Sequence, residues 1–490
     1  MYTPSEEIGL AGQRLSVRVQ NAIDAIPREE MIELIHAIRS EAKARHLVYQ
    51  NDGVDTVVPL LPSPITLRPD QLGYTHYVSQ TLLNCIKRMP DMYFSSTEVR
   101  DLLRITDAEE EWLKECWTPA HKESNPMFAR FDVAIDYSIP EWKDSIKFME
   151  PNLTGIGGLH MSPTSMEVLA DIMVPAMMVQ DPTIRLQLAE DIRDLLLQDL
   201  MEHLDAIGRP EGNICVVDPK YSIDGPDEIQ ALQDYYKERY GITVLHADAA
   251  ELSLRGDEVY YGDARVDVVY RDAAVLDLIE LQSEGVDVAP MRALLKQNRM
   301  VSSIAAELDQ KSCFEVLTDP ILADKFLTEA EQAVMRRHVL WTRILSDRRT
   351  TAADGRTVDL LEFARTHREH LVLKPNRSYG GEGVIVGPGV DQGKWEAGIE
   401  AALKDENDRW VLQETAVIPK KSFHILDDSG ELQVVPFNVV MGIAPSNYGV
   451  AMLVRASPGR VVNVAQGGGT CAVMVSAKAL HTAAYRVPRT

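Results

Sequence analysis

At 490 residues, 45% hydrophobic and 25% charged, the chain has the composition of an ordinary globular protein with room for roughly two to four domains. Seventy-four acidic against fifty basic residues leave a net charge of −24, which repels a phosphate backbone and argues against nucleic acid or an anionic membrane as the main partner. The five cysteines form no CxxC pair, no apolar run reaches about 18 residues, and the first residues lack the apolar stretch of a signal peptide, so a cytoplasmic setting is expected.

In chain order, apolar residues recur at helical spacing over 29–49, 69–87 and 95–116, which predicts a mostly helical region over 1–125. The proline-rich stretch 54–70 reads as an extended connector within it. From Arg130 the pattern changes to RFDVAIDYSIPEWKDSIKFMEPN, two alternating strands around a turn near Pro140 and Glu141. A hairpin centred on Glu141 pairs Asp132 with Glu150, and Asn152 shares Glu150's face two residues on. Mg²⁺ takes few protein carboxylates and completes its shell with water and phosphate oxygens, so Asp132, Glu150 and Asn152 suit a metal cradle, with Mn²⁺ as a substitute. A solvated acidic strand face is the plain alternative. The stretch 183–204 carries Leu188, Ile192, Leu196, Leu200 and Leu204 at i, i+4 spacing and predicts one amphipathic helix. Strands at 214–218, 242–246 and 265–271 alternate with a helix at 227–240, a small α/β unit over 208–320. Arg271 ends one of these strands, as a ligand for a substrate carboxylate or phosphate or, equally well, as half of a surface salt bridge.

Residues 371–387, LVLKPNRSYGGEGVIVG, read as strand, glycine-rich loop and strand. Gly380, Gly381 and Gly383 allow backbone N–H groups to approach a polyphosphate, and Lys374 leaves the first strand with a compact positive charge. GxxxxGK[ST] is absent, and the strand after Gly383 excludes a Rossmann turn. Beyond the loop, a helix at 394–403, a strand at 409–414 and alternating strands to residue 476 close the fold. Arg455, Asn463 and the Gly467-Gly468-Gly469 turn line the acceptor side of a cleft on this reading, or the turn is a plain hairpin. His367 and His370 form an HxxH without further ligands, which argues against metal there.

Arg130-Phe131-Asp132, Phe148-Met149-Glu150-Pro151-Asn152, and downstream Lys374-Pro375 with Gly380-Gly381-Glu382-Gly383 together resemble the ATP-grasp superfamily in its circularly permuted form. Within it the chain is similar to glutathionylspermidine synthase-like carboxylate-amine ligases, in which the metal hairpin precedes the phosphate loop. The resemblance implies an α+β / α/β fold with a helical N-terminal region (1–125), a first part of the ATP-grasp core (126–207), an inserted α/β pre-ATP-grasp substrate domain (208–320), a second core part (321–478) and a tail (479–490). It implies ATP and Mg²⁺, with Lys374, Tyr379 and the three glycines over the phosphates and Gln413 and Glu414 at an adenine hinge. It also implies a second basic residue on the phosphates, usually Lys, for which Arg343 is the choice. The activity implied joins a small-molecule carboxylate to an amine through an acyl phosphate, with release of ADP and phosphate. Arg130, on the strand face of Asp132, is the residue expected to hold the acyl phosphate oxygens. Two other classes stay open: a kinase-type phosphotransferase, which needs a positioned base, and a non-catalytic nucleotide-binding scaffold. A homodimer is the commonest assembly for such a chain.

Overall fold

The computed structural model describes residues 4–222, 224–378, 380–459 and 468–477. Tyr379, Asn463, Gly467 and the tail 479–490 lie outside the described residues.

Two antiparallel sheets build the site. The first is organised along the strand Leu432–Ser446, which pairs on one edge with Gly449–Ser457 and on the other with Lys420–Leu426 and Arg130–Ala134, placed end to end. Lys147–Asn152 continues the sheet beyond Arg130–Ala134. Paired residues of an antiparallel sheet share a face. Lys420 opposite Asn438, Arg455 opposite Val440, and Asp132 between Gly442 and Glu150 therefore stand on one side. Phe131, Val133, Val439 and Met441 point the other way, into the main core. The connection within the Arg130–Asn152 hairpin is longer than a simple turn. It holds a short helix, Trp142–Ser145, and the register shifts by one residue after Asp132, so Val133 faces Phe148 while Asp132 still faces Glu150.

The second sheet runs in the order Thr342–Ile344, Trp410–Glu414, Leu371–Pro375, Ile385–Val386. Its outer face packs Leu371, Leu373 and Leu412 on Trp341, Leu360, Trp395 and Ile399 as a separate small core. The helix Gln392–Lys404 that covers it starts where the Asp391 carboxylate accepts the Lys394 N–H at 2.9 Å. The two sheets are tied where the Leu340 N–H bonds the Phe148 carbonyl and the Gln413 side-chain amide bonds the Met149 carbonyl at 2.9 Å.

The α/β unit is a four-stranded parallel sheet in the order Met300–Val301, Val268–Arg271, Ile214–Val217, Leu245–Ala247. It is fastened by Glu228 to the segment that follows the hairpin. This buried carboxylate accepts the N–H groups of Gly158 and Leu159 on Oε2 (2.7 and 3.1 Å) and of His160 and Met161 on Oε1 (both 2.9 Å). It thereby caps the helix Met161–Gln180 from a distant part of the chain.

Three sequence expectations change. The region 1–125 is helical, but Val48–Asn51, Val54–Val57 and Ile65–Leu67 are strands, and the last pairs with Val473–Ser476. Residues 95–116 form two helices, Thr97–Leu102 and Asp107–Cys116, because Thr106 and Glu109 set a fresh capping box. The single helix expected over 183–204 is a strand, Leu186–Leu188, followed by the helix Ile192–Ala206. Asp191 accepts the Arg193 N–H at 2.9 Å and starts the helix there, so the leucine spacing upstream is coincidental. No described helix is long and apolar enough to cross a membrane.

Candidate active site

Between the two sheets lies a cleft of about 1030 Å³, lined by Arg130, Asp132, Glu150, Asn152, Lys374, Gly380, Gly381, Gln413, Glu414 and Arg455, together with apolar and acidic residues described below. The strand pleat explains the gathering. Val372 faces both Gln413 and Val386, and Lys374 is two residues on, so these stand on the cleft side while Leu371 and Leu373 enter the small core.

The first strand's charges are already balanced by neighbouring ones. Burial works against a charge on Asp132, but Arg455 and Arg130 outweigh it and hold the carboxyl below its usual range. Arg455 Nη2 lies 2.5 Å from Asp132 Oδ1 and Arg130 Nε lies 3.8 Å from it. Arg130 also donates to the Gly157 carbonyl, and its side chain passes directly over Gly442, where a Cβ would come within 2.5 Å of its Cδ. The Asn152 side-chain amide nitrogen is spent on the Arg130 carbonyl at 3.1 Å, which leaves its oxygen as the available ligand.

The glycine loop closes over the cleft with Gly380, Gly381 and Gly383 at φ of +70°, +76° and +70°. These left-handed values explain why glycine stands there. Gly380 and Gly381 line the cleft, whereas Gly383 packs on Pro375 and Trp410. Burial lowers the Lys374 ammonium's affinity for its proton, opposed by Glu150 and Asp132.

Sequence reasoning missed the segment that holds this loop. Asn376, 3% exposed, accepts the Ser312 N–H at 2.8 Å and donates to Gln310 Oε1 and Ser312 Oγ, while its carbonyl takes the Lys311 N–H. Lys311 donates to the Ser378 carbonyl at 2.6 Å and its Nζ stands 3.7 Å from Glu150 Oε2. Arg377, next in the loop stem, grips the buried Glu109 with both terminal nitrogens, at 3.1 and 2.5 Å, and so joins the N-terminal helical region to the loop. The Lys-Pro-Asn-Arg run was the local signal for these contacts, but the partners are 60 to nearly 270 residues away.

Arg343 and Arg271 stand elsewhere. Thr342 turns to the cleft side, where its hydroxyl accepts from Gln413, so strand alternation sends Arg343 to the opposite face. There its buried guanidinium donates to Thr350 Oγ1, Thr318 Oγ1 and the Thr342 and Thr351 carbonyls, and it does not line the cleft. Arg271 is fully buried, with Nη1 2.5 Å from Glu307 and its other nitrogens on the Ser302 and Ser303 carbonyls at 2.8 and 3.0 Å. It is a structural ion pair and no ligand for substrate.

At one end the cleft is apolar, bounded by Met149, Leu340, Val372, Val386 and Ile418, with the backbone of 414–416 along its edge. Burial raises the Glu414 carboxyl above its usual range there. At the other end Asp272 and Asp277 reach in from the α/β unit, with Gly155 pressed so close to Asp272 that a Cβ has no room. Among the described residues no group of three or more acidic, histidine or cysteine side chains is able to hold a metal by itself. Asp132, Glu150 and the Asn152 oxygen line the cleft together as two carboxylates and an amide oxygen.

No family model matches the chain. Uncharacterized proteins of Mycobacterium tuberculosis and Mycobacterium bovis are 26% identical over 239 residues, which is 46% of this chain and 40% of theirs. The chain thus matches less than half the length of these curated relatives. The apo structure of a glutathione synthetase-like effector from Globodera pallida superposes with a TM-score of 0.59 over 91% of this chain and 97% of its own, at 13% identity. The fold shared with a glutathione synthetase-like protein is what these similarities establish.

Proposed function

We propose that the chain is an ATP-dependent ligase that joins a small-molecule carboxylate to an amine, built as a circularly permuted ATP-grasp protein. The observation that carries the reading is the convergence of Arg130, Asp132 and Glu150 from one hairpin with Lys374 from a strand more than 200 residues on, beneath a glycine loop. The apolar end between Met149, Leu340 and Val372 suits the adenine ring, with Glu414 and the 414–416 backbone as its polar edge. The phosphates lie against Lys374 and the N–H groups of Gly380 and Gly381, and Lys311 takes the place of the second basic residue expected at Arg343.

Asp132, Glu150 and the Asn152 oxygen would hold a divalent cation, Mg²⁺ or Mn²⁺, which would neutralise phosphate charge there. A substrate carboxylate oxygen attacks the γ-phosphorus, the bond from that phosphorus to the β–γ bridging oxygen breaks, and ADP leaves with the electron pair. Arg130 and Arg455 hold the anionic oxygens of the acyl phosphate through fixed guanidinium donors. The amine lone pair then attacks the acyl carbon, the carbon–oxygen bond to phosphate breaks, and the amine proton passes to departing phosphate or water. Asp272 and Asp277 face the acceptor end and favour a positively charged amine substrate.

The test is incubation of the purified chain with ATP, Mg²⁺ and a pool of amino acids, polyamines and small peptides, following ADP, phosphate and product mass. Equal ADP and phosphate with a product one water lighter than its two substrates is the expected result, and Glu150→Ala and Lys374→Ala abolish it while the protein stays folded. A phosphorylated product without free phosphate makes the chain a kinase. ATP binding without turnover of any kind leaves a scaffold.

A further inference from the structure

The sheet that floors the cleft has a second cavity on its opposite side. It measures about 570 Å³ and lies between the helix Pro4–Asp24, the 135–139 turn and the back of the strand Leu432–Ser446. The pleat assigns the two spaces: Asn438 and Val440 line the cleft, Val439 and Met441 line the rear cavity. Lys421 pairs with Phe437 and so faces the rear, one residue beyond cleft-facing Lys420.

Lys421 is the group without a structural explanation. It is partly buried, and its contacts are a hydrogen bond to the neutral Gln20 side chain at 3.2 Å and the Phe423 ring centroid 5.8 Å away. Among the described residues no carboxylate lies within 4.0 Å of its Nζ, although Asp24 and Asp136 line the same cavity. Both acids are engaged: Asp24 accepts from Gln20 at 2.9 Å, and Asp136 accepts the backbone N–H and the hydroxyl of Ser138 at 2.9 and 2.5 Å. Burial lowers the ammonium's proton affinity, opposed by the acids Asp24 and Asp136, which do not reach it as ion-pair partners. Val17, Ile65, Ile135, Ile139, Val439 and Met441 give the cavity an aliphatic side, and serines, glutamines and a threonine also line it.

We infer that this cavity is a second small-molecule site, distinct from the cleft, that takes a monocarboxylate with a short aliphatic body, its carboxylate on Lys421. The size is that of a metabolite pocket. Asp24 and Asp136 stand in the same lining and oppose a multiply ionised phosphate, whereas a single carboxylate matches the one ammonium of Lys421. The ligand's tail lies along the aliphatic walls, where burial of each methylene adds binding energy.

Titration calorimetry of the full chain with sodium hexanoate, with hexylamine as the charge control, tests the site. Hexanoate binds one to one and hexylamine does not. Lys421→Met weakens hexanoate binding at least tenfold, and so does Val17→Trp, which fills the cavity from a half-exposed helix position without disturbing the core. Both variants melt like the parent, and saturating Mg-ATP does not displace hexanoate. Failure of hexanoate to bind, equal binding of hexylamine, binding unchanged in both variants, or displacement by Mg-ATP each overturns the inference. None of these outcomes depends on the ligase activity.

Discussion

Replacing Glu228 gives the sharpest quantitative test of how the α/β unit is attached. The carboxylate accepts four backbone N–H groups, two on each oxygen, at the positive end of the 20-residue helix Met161–Gln180. Hydrogen bonds to a charged acceptor contribute roughly 1.5–3 kcal/mol each, but four on one group do not add, and water entering an alanine cavity recovers part of the loss. Glu228→Ala is therefore expected to cost about 3–5 kcal/mol, the range for breaking a buried charged network. Glu228→Gln keeps one carbonyl-type oxygen and turns an NH₂ towards the other pair of donors, so it loses about half as much by the same bond count. Equilibrium urea denaturation followed by tryptophan fluorescence and circular dichroism measures both. The same variants should lose ATP turnover ahead of global unfolding, because the capped segment carries Gly155 and Ile156 into the cleft. An alanine variant within 1 kcal/mol of the parent, or a glutamine variant worse than alanine, would refute the reasoning.

Four further outcomes are expected. Arg271→Met leaves Glu307 buried without its cation and should destabilise the fold by about 3–5 kcal/mol in denaturant titration, whatever substrate is present. Gly442→Val drives a side chain into Arg130 and should reduce ligase turnover at least a hundredfold, with ATP affinity measured by calorimetry changed much less. Asn376→Ala removes the contacts that fix the stem of the glycine loop, so Mg-ATP affinity should fall about tenfold, read by calorimetry, as expected for about 1.4 kcal/mol. Burial drives the His338 imidazole down from 6.5 to about 4. Its neutral form is favoured in the fold, so its stability contribution is complete above pH 6.5 and is lost as pH falls towards 4. The loss is about 3 kcal/mol at roughly 1.4 kcal/mol per pH unit. His338→Gln should flatten the denaturation profile across that window, and an unchanged slope would remove this histidine from the acid response.

What was legible in the sequence was whatever a single strand or loop decides. Period-two alternation put Asp132 opposite Glu150 even though a helix and a one-residue register shift interrupt the hairpin, because the shift falls after Asp132. The glycine loop was legible because left-handed backbone demands glycine locally. Arg343 misled because the sequence does not reveal which side of Thr342–Ile344 meets the cleft; Thr342, not Arg343, bonds Gln413. Arg271 forms the salt bridge that was its plainer reading, but a buried one and not on the surface, because Glu307 and the Ser302 and Ser303 carbonyls converge on it only after the parallel sheet forms. Lys311 and Glu228 had no signature in periodicity or motif, and Asn376 had only the Lys-Pro-Asn-Arg run, since each acts on segments far away in the chain.

The strand Leu432–Ser446 has a consequence for how this chain tolerates change in length. Its even-numbered residues from 438 to 442 serve the cleft and its odd-numbered ones serve the rear cavity and core. Deleting or inserting one residue there would exchange the two sets, presenting Val439 and Met441 to the charged cleft and Asn438 to the aliphatic space behind. A change that leaves composition almost untouched would thus damage both faces at once. Descendants of this sequence are free to vary the turn around Gly430 but are constrained to keep the strand's residue count fixed.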